Sequence, residues 1–114
     1  MAIPKKNRVT VKKDFDSIFR KGKAVNGTFL FMKYLVGSDG SPQLNIIVSS
    51  KTIKKAATRN RVKRVLSALV QLHLNNLPQG IKALVVVTKS PINNRDDKLR
   101  EDFLKTLKKS GLYE

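Results

Sequence analysis

From Gly40 to Asn94 the chain carries no carboxylate, yet the same window holds Lys51, Lys54, Lys55, Arg59, Arg61, Lys63, Arg64, Lys82 and Lys89. Nothing constrains the fold more. Whatever structure these residues adopt must display its cations on a surface without local neutralisation, and such a surface repels itself. The imbalance extends to the whole chain. Its 114 residues include 24 Lys and Arg against eight Asp and Glu, a net charge of +16. A polyanionic partner accounts for that excess. Hydrophobic residues make up 40%, enough for one modest core and too many for wholesale disorder. With no Cys, a disulfide scaffold, a thiolate-bound zinc and a thiol nucleophile are all excluded. His73 is the one histidine, so a His-rich metal site is excluded too. No apolar run approaches the roughly 20 residues of a membrane span. The basic stretch 1–13 lacks the roughly 7–15-residue apolar segment of a signal peptide. A cytoplasmic protein facing nucleic acid is expected, with no membrane partner and no small-molecule substrate.

The chain reads as a single domain, 1–114, with a basic arm over 1–9 and an α+β body over 10–114. Residues 10–21 predict a helix. Val11, Phe15, Ile18 and Phe19 share one face, Thr10 suits the N-cap and Gly22 the stop. Residues 23–27 suit a short strand or the entry to a turn. Residues 29–36 alternate as a strand with Phe29, Phe31, Lys33 and Leu35 on one face. Gly37-Ser38-Asp39-Gly40-Ser41-Pro42 is a loop, followed by a β-branched strand over 43–49. A helix over 58–74 carries Val62, Val65, Leu66, Leu69 and Leu72 as its apolar stripe. Pro78 and Gly80 punctuate the next loop. Ala83-Leu84-Val85-Val86-Val87 is the continuous apolar run of a strand covered on both faces. After a loop over 90–94, a helix over 95–110 places Leu99, Phe103, Leu104 and Leu107 inward. Its acids lie at the start and its lysines at the end, as the helix dipole favours.

The densest chemical signal runs from Lys51 to Arg64. Seven of these fourteen residues are Lys or Arg and none is acidic. Its second half opens the strongest helix, where cations oppose the macrodipole by about 0.3–1 kcal/mol each. Phosphate binding explains why a sequence would accept that cost. Arg and Lys neutralise phosphates, and the free N–H groups of a first helical turn add donors. Phe15 and Phe19, at i and i+4, share a face, and the residues leave open whether they pack in the core or stack on bases. Asp14 and Asp16 point about 200° apart on a helix, which suits surface or capping roles better than a shared metal. His73 reads as a boundary residue at a helix end.

Lys54-Lys55-Ala56-Ala57-Thr58-Arg59-Asn60-Arg61-Val62-Lys63-Arg64 closely resembles the Arg-Asn-Arg signature of the protein subunit of bacterial ribonuclease P. The likeness runs over most of the chain. It includes Asn7-Arg8-Val9, Asp14-Phe15, Ile18-Phe19 and Gly22 at the opening helix. It continues through residues 46–51 before the signature and Leu77-Pro78-Gln79-Gly80 before the apolar strand. Asn45, Ser50 and Ser67 depart from the family's usual Gly and basic residues. The resemblance implies a two-layer sandwich of a four-stranded mixed sheet and three helices, in the order α-β-β-β-α-β-α, with a left-handed β-α-β crossover. It implies a small partner of a catalytic RNA that removes the 5′ leader from precursor tRNA. The catalytic groups and the Mg2+ ions would then belong to the RNA, with no catalytic or metal-binding residue on the protein. Lys54, Lys55, Arg59, Asn60, Arg61, Lys63 and Arg64 are implied to bind the catalytic RNA. Phe15, Phe19, Lys33, Ser49 and Lys51 are implied to line a cleft for the single-stranded leader.

Three rival readings start from the same residues. A structural, ribosomal-type RNA-binding protein fits the charge and size equally and would not alter cleavage. A DNA-binding protein could lay the 58–74 helix in a major groove. A self-sufficient ribonuclease fits poorly, because one His and scattered carboxylates supply no general acid–base pair.

Overall fold

The apolar run from Ala83 to Val87 lies at the centre of the molecule. In the computed structural model, which describes residues 7, 9, 12–37, 40–89 and 96–111, it belongs to a strand flanked by others on both sides. The helices are α1 (Lys12–Lys21), α2 (Ala56–His73) and α3 (Asp96–Ser110), and the strands are β1 (Lys23–Asn26), β2 (Leu30–Val36), β3 (Gln43–Ile47) and β4 (Ile81–Val87). A single 3-10 turn, Leu74–Asn76, follows α2. The expected order α-β-β-β-α-β-α is observed. The sheet runs β1-β2-β4-β3. β1 pairs antiparallel with β2, and β2 antiparallel with β4, Met32 lying opposite Val85. β3 pairs parallel with β4, Ile46 lying opposite Val85, so α2 is the crossover between two adjacent parallel strands.

Strand alternation sorts the side chains into two unequal sets. Leu30, Met32 and Tyr34 of β2, Leu44 of β3, and Ala83, Val85 and Val87 of β4 face α2 and α3. They meet Val62, Leu66, Leu69 and Val70 of α2 and Leu99, Phe103 and Leu107 of α3 in one continuous core. The opposite face holds a smaller cluster. Leu84 packs there with Ile18 of α1 and Val9, flanked by Phe15, Leu35, Ile47 and Val86. An ion pair of 2.9 Å between Asp14 and Lys82 also ties α1 to β4, a surface role of the kind expected of Asp14.

Several expectations shift. Phe29 precedes β2 and packs against the α2–α3 core instead of joining Phe31, Lys33 and Leu35. The reason is Asp102, a carboxylate inside α3 that is only 7% exposed. It accepts the backbone N–H groups of Thr28 at 2.7 Å and Phe29 at 2.8 Å, which bends the β1–β2 connection before the strand can begin. Gly27 allows that approach: a Cβ there would stand 2.6 Å from Thr106 Oγ1 and 2.7 Å from the Asp102 carboxylate. In α2 the buried stripe takes in Val70 rather than Leu72, which is 75% exposed. On the helix wheel the buried arc runs from Leu69 through Val62 to Leu66 and Val70, and Leu72 lies about 60° beyond its Leu69 edge, on the side away from Val70. Gly22 does end α1. A Cβ there would collide with the Ile18 carbonyl, and its N–H bonds that oxygen at 2.9 Å. The expected N-cap Thr10, Val11, most of the arm, the expected 90–94 loop and Arg95 lie outside the described residues.

Candidate nucleic-acid interface

The start of α2 is built without the usual terminal devices. Its N-cap is Lys55, in an extended conformation with no side-chain cap, and its first turn contains no acid. The first N–H groups therefore have no side-chain acceptor there. The turn leading into it is firmly made. Ser49 accepts the N–H groups of Thr52 and Ile53 on its carbonyl, and its hydroxyl pairs with that of Thr52 at 3.0 Å. Ile53 is buried and anchors the turn in the core. Lys51, at the apex, is exposed.

The basic block then divides by side-chain direction. Lys54, Lys55, Asn60, Lys63 and Arg64 are exposed, while Arg59 and Arg61 are half-buried. Arg59 Nη1 donates to the carbonyls of Ile53 at 2.8 Å and Lys54 at 2.9 Å. Arg61 Nε stands 3.3 Å from Asp96 Oδ1 at the start of α3. These inward contacts could not be read from helix periodicity, because their partners lie on a turn and on a distant helix.

The two aromatic residues of α1 also separate. Phe15 is half-buried against the Ile18–Leu84 cluster. Phe19, one turn on, is 43% exposed. Lys33 Nζ lies 5.5 Å from the Phe19 ring centroid and donates to the Phe19 carbonyl at 2.9 Å. A ring with an open face beside an ammonium group suits a base and its phosphate. Next to this region Asn45 clamps the arm: its amide accepts from Val9 N–H at 2.8 Å and donates to Val9 C=O at 2.9 Å. A glycine at position 45 would offer neither bond. Among the described residues, no group of three or more His, Asp or Glu could hold a metal ion, and no helix is long and apolar enough to cross a membrane.

The α+β body turns an uncapped, acid-free helix end and an exposed aromatic ring to solvent. The family model described as Ribonuclease P matches residues 3–111. A ribonuclease P protein component from Pseudanabaena is 34% identical over 95% of this chain and 94% of its own length. One from Clostridium botulinum is 31% identical over 96% and 98%. Among solved structures, the ribonuclease P protein of Thermotoga maritima superposes with a TM-score of 0.76 at 28% identity, covering 90% of this chain and 96% of that one. The Staphylococcus aureus protein shares the fold at a TM-score of 0.83 and 20% identity, over 95% and 98%. The chain belongs to the ribonuclease P protein family, the protein components of a tRNA-processing ribonucleoprotein endonuclease.

Proposed function

We propose that this chain assists removal of the 5′ leader from precursor tRNA by holding two RNAs at once. The start of α2 holds the catalytic RNA; the block of Lys54, Lys55, Arg59, Asn60, Arg61, Lys63 and Arg64 builds and presents that surface. The α1 side of the sheet and the turn beside it hold the single-stranded leader. There Phe19 stacks, Lys33 and Lys51 meet phosphate, Phe15 supports the helix from below and Ser49 shapes the turn. The observation that most supports this reading is the uncapped, acid-free N-terminus of α2 with four exposed cations around it. A duplex-like RNA surface offers phosphates and 2′-hydroxyls to such an end. Leader contacts that mature tRNA cannot make would favour substrate over product. The Mg2+ ions and the phosphodiester chemistry belong, in this reading, to the RNA subunit. The chain's own residues bind, orient and neutralise, and they do so in the cytoplasm.

Reconstitution tests the proposal. The purified protein is added to a bacterial ribonuclease P RNA and a precursor tRNA, at a magnesium concentration where the RNA alone is nearly inactive. Cleavage at the mature 5′ end should be restored. Tight RNA binding without rescue would favour a structural RNA-binding role, and cleavage with no RNA subunit present would favour a protein nuclease.

A further inference from the structure

The Arg59-Asn60-Arg61 triplet looks from its sequence like three RNA contacts in a row. In the fold only Asn60 is exposed. We infer that Arg59 and Arg61 are positioning residues that lock the start of α2 in place, and that Asp96 on α3 is the third member of that set. The inference deepens the reading of α2 as the catalytic-RNA site and rests on it.

Each arginine is compensated inside the protein. Arg59 spends one nitrogen on the two carbonyls of Ile53 and Lys54, which fixes the turn to the helix it introduces. Arg61 faces Asp96. Its Nε and Nη2 atoms are shut off from solvent and make no hydrogen bond among the described residues. A phosphate could reach these two atoms only by opening the junction of α2 and α3, although the side chain as a whole is 27% exposed. Asp96 itself sits in the first turn of α3, where the helix dipole favours a carboxylate, so it is held from two sides. Lys54, Lys55, Lys63 and Arg64 form none of the ion pairs seen among the described residues. The block thus divides its labour: two arginines and an aspartate set the angle of the helix end, and four exposed cations with Asn60 meet the RNA.

The two roles predict opposite signs for one substitution. Asp96→Asn removes a negative charge, so if Arg61 touched phosphate, freeing it would tighten binding to the RNA subunit. If Arg61 positions, binding weakens. We expect weaker binding to bacterial ribonuclease P RNA in Asp96→Asn. Glu101→Gln, the same charge change at an exposed site on the same helix, should bind as well as wild type or better. The charge-reversed pair Arg61→Asp with Asp96→Arg keeps the net charge and should recover affinity lost in Arg61→Asp alone. Lys63→Gln and Arg64→Gln should each shallow the log–log salt dependence by about 0.7–0.9. Tighter binding by Asp96→Asn, or a reversed pair that recovers thermal stability without affinity, overturns the assignment. An unchanged salt slope in both Lys63→Gln and Arg64→Gln removes α2 from the RNA interface, and the inference falls with it for that separate reason.

Discussion

The two faces of the sheet are built to different standards. The α2–α3 face is filled by two helices, and its core runs without interruption from Leu30 on β2 to Leu107 on α3. Its polar exceptions are satisfied: Asp102 takes two backbone N–H groups, and Thr106 donates to the Asp102 carbonyl at 2.8 Å. The α1 face has one ten-residue helix and a small cluster centred on Ile18 and Leu84. Around that cluster Phe19, Lys33 and Phe31 keep solvent contact. Apolar burial is worth roughly 25 cal/mol per Å², so most of the stability comes from the first face. The second keeps more of its side chains in contact with solvent. One sheet serves as the inner wall of the core and the floor of the proposed leader surface.

The difference between the faces should show first on the filled one. Leu66→Ala, at a fully buried α2 position, should cost about 2–5 kcal/mol, read from urea unfolding by circular dichroism. A loss well below that would mean the core repacks freely. Asp102→Ala strands two backbone donors and should cost about 1–3 kcal/mol in the same experiment, with Asp102→Asn costing less because one acceptor survives. On the open face the readout should change kind. Phe19→Ala should leave unfolding nearly unchanged and reduce the preference of the holoenzyme for precursor over mature tRNA by about 1–3 kcal/mol, the value of one base stack. An equal loss of stability would place Phe19 in the core. The smallest effect belongs to the arm: Asn45→Ala removes two hydrogen bonds to Val9 and should lower stability by about 1 kcal/mol, with thermal melting the check.

Much of the fold was legible because it is written in local pattern. The apolar run at 83–87 marks a doubly covered strand, and the 3.6-residue period marks α2 and α3 to within two residues at their ends. What escaped was long-range and polar. Asp102 looks like one more surface acid on an amphipathic helix, and its partners lie 73 and 74 residues away. Asn45 looks like a flaw in a strand until Val9, 36 residues earlier, fills its amide. The location of the basic block was plain from charge density. The direction of each side chain was not, because Arg59 and Arg61 are turned inward by a turn and a helix that no periodicity relates to them. Leu72 failed for a simpler reason: an apolar residue at the margin of a stripe follows whichever flank the neighbouring helix covers.

The strand order has a consequence for how the molecule comes into being. β4 is the penultimate element of the chain, yet β2 and β3 meet only through it. Until residue 87 is available, β1 and β2 can form no more than an isolated hairpin, which is marginal in water, and β3 has no partner at all. A growing chain therefore carries unpaired strand edges on β2 and β3 until β4 emerges, the kind of surface on which chains join one another. Its lysines and arginines are already present during that interval, and their mutual repulsion keeps nascent copies apart. The same charge that the proposed function assigns to RNA guards an unfinished sheet.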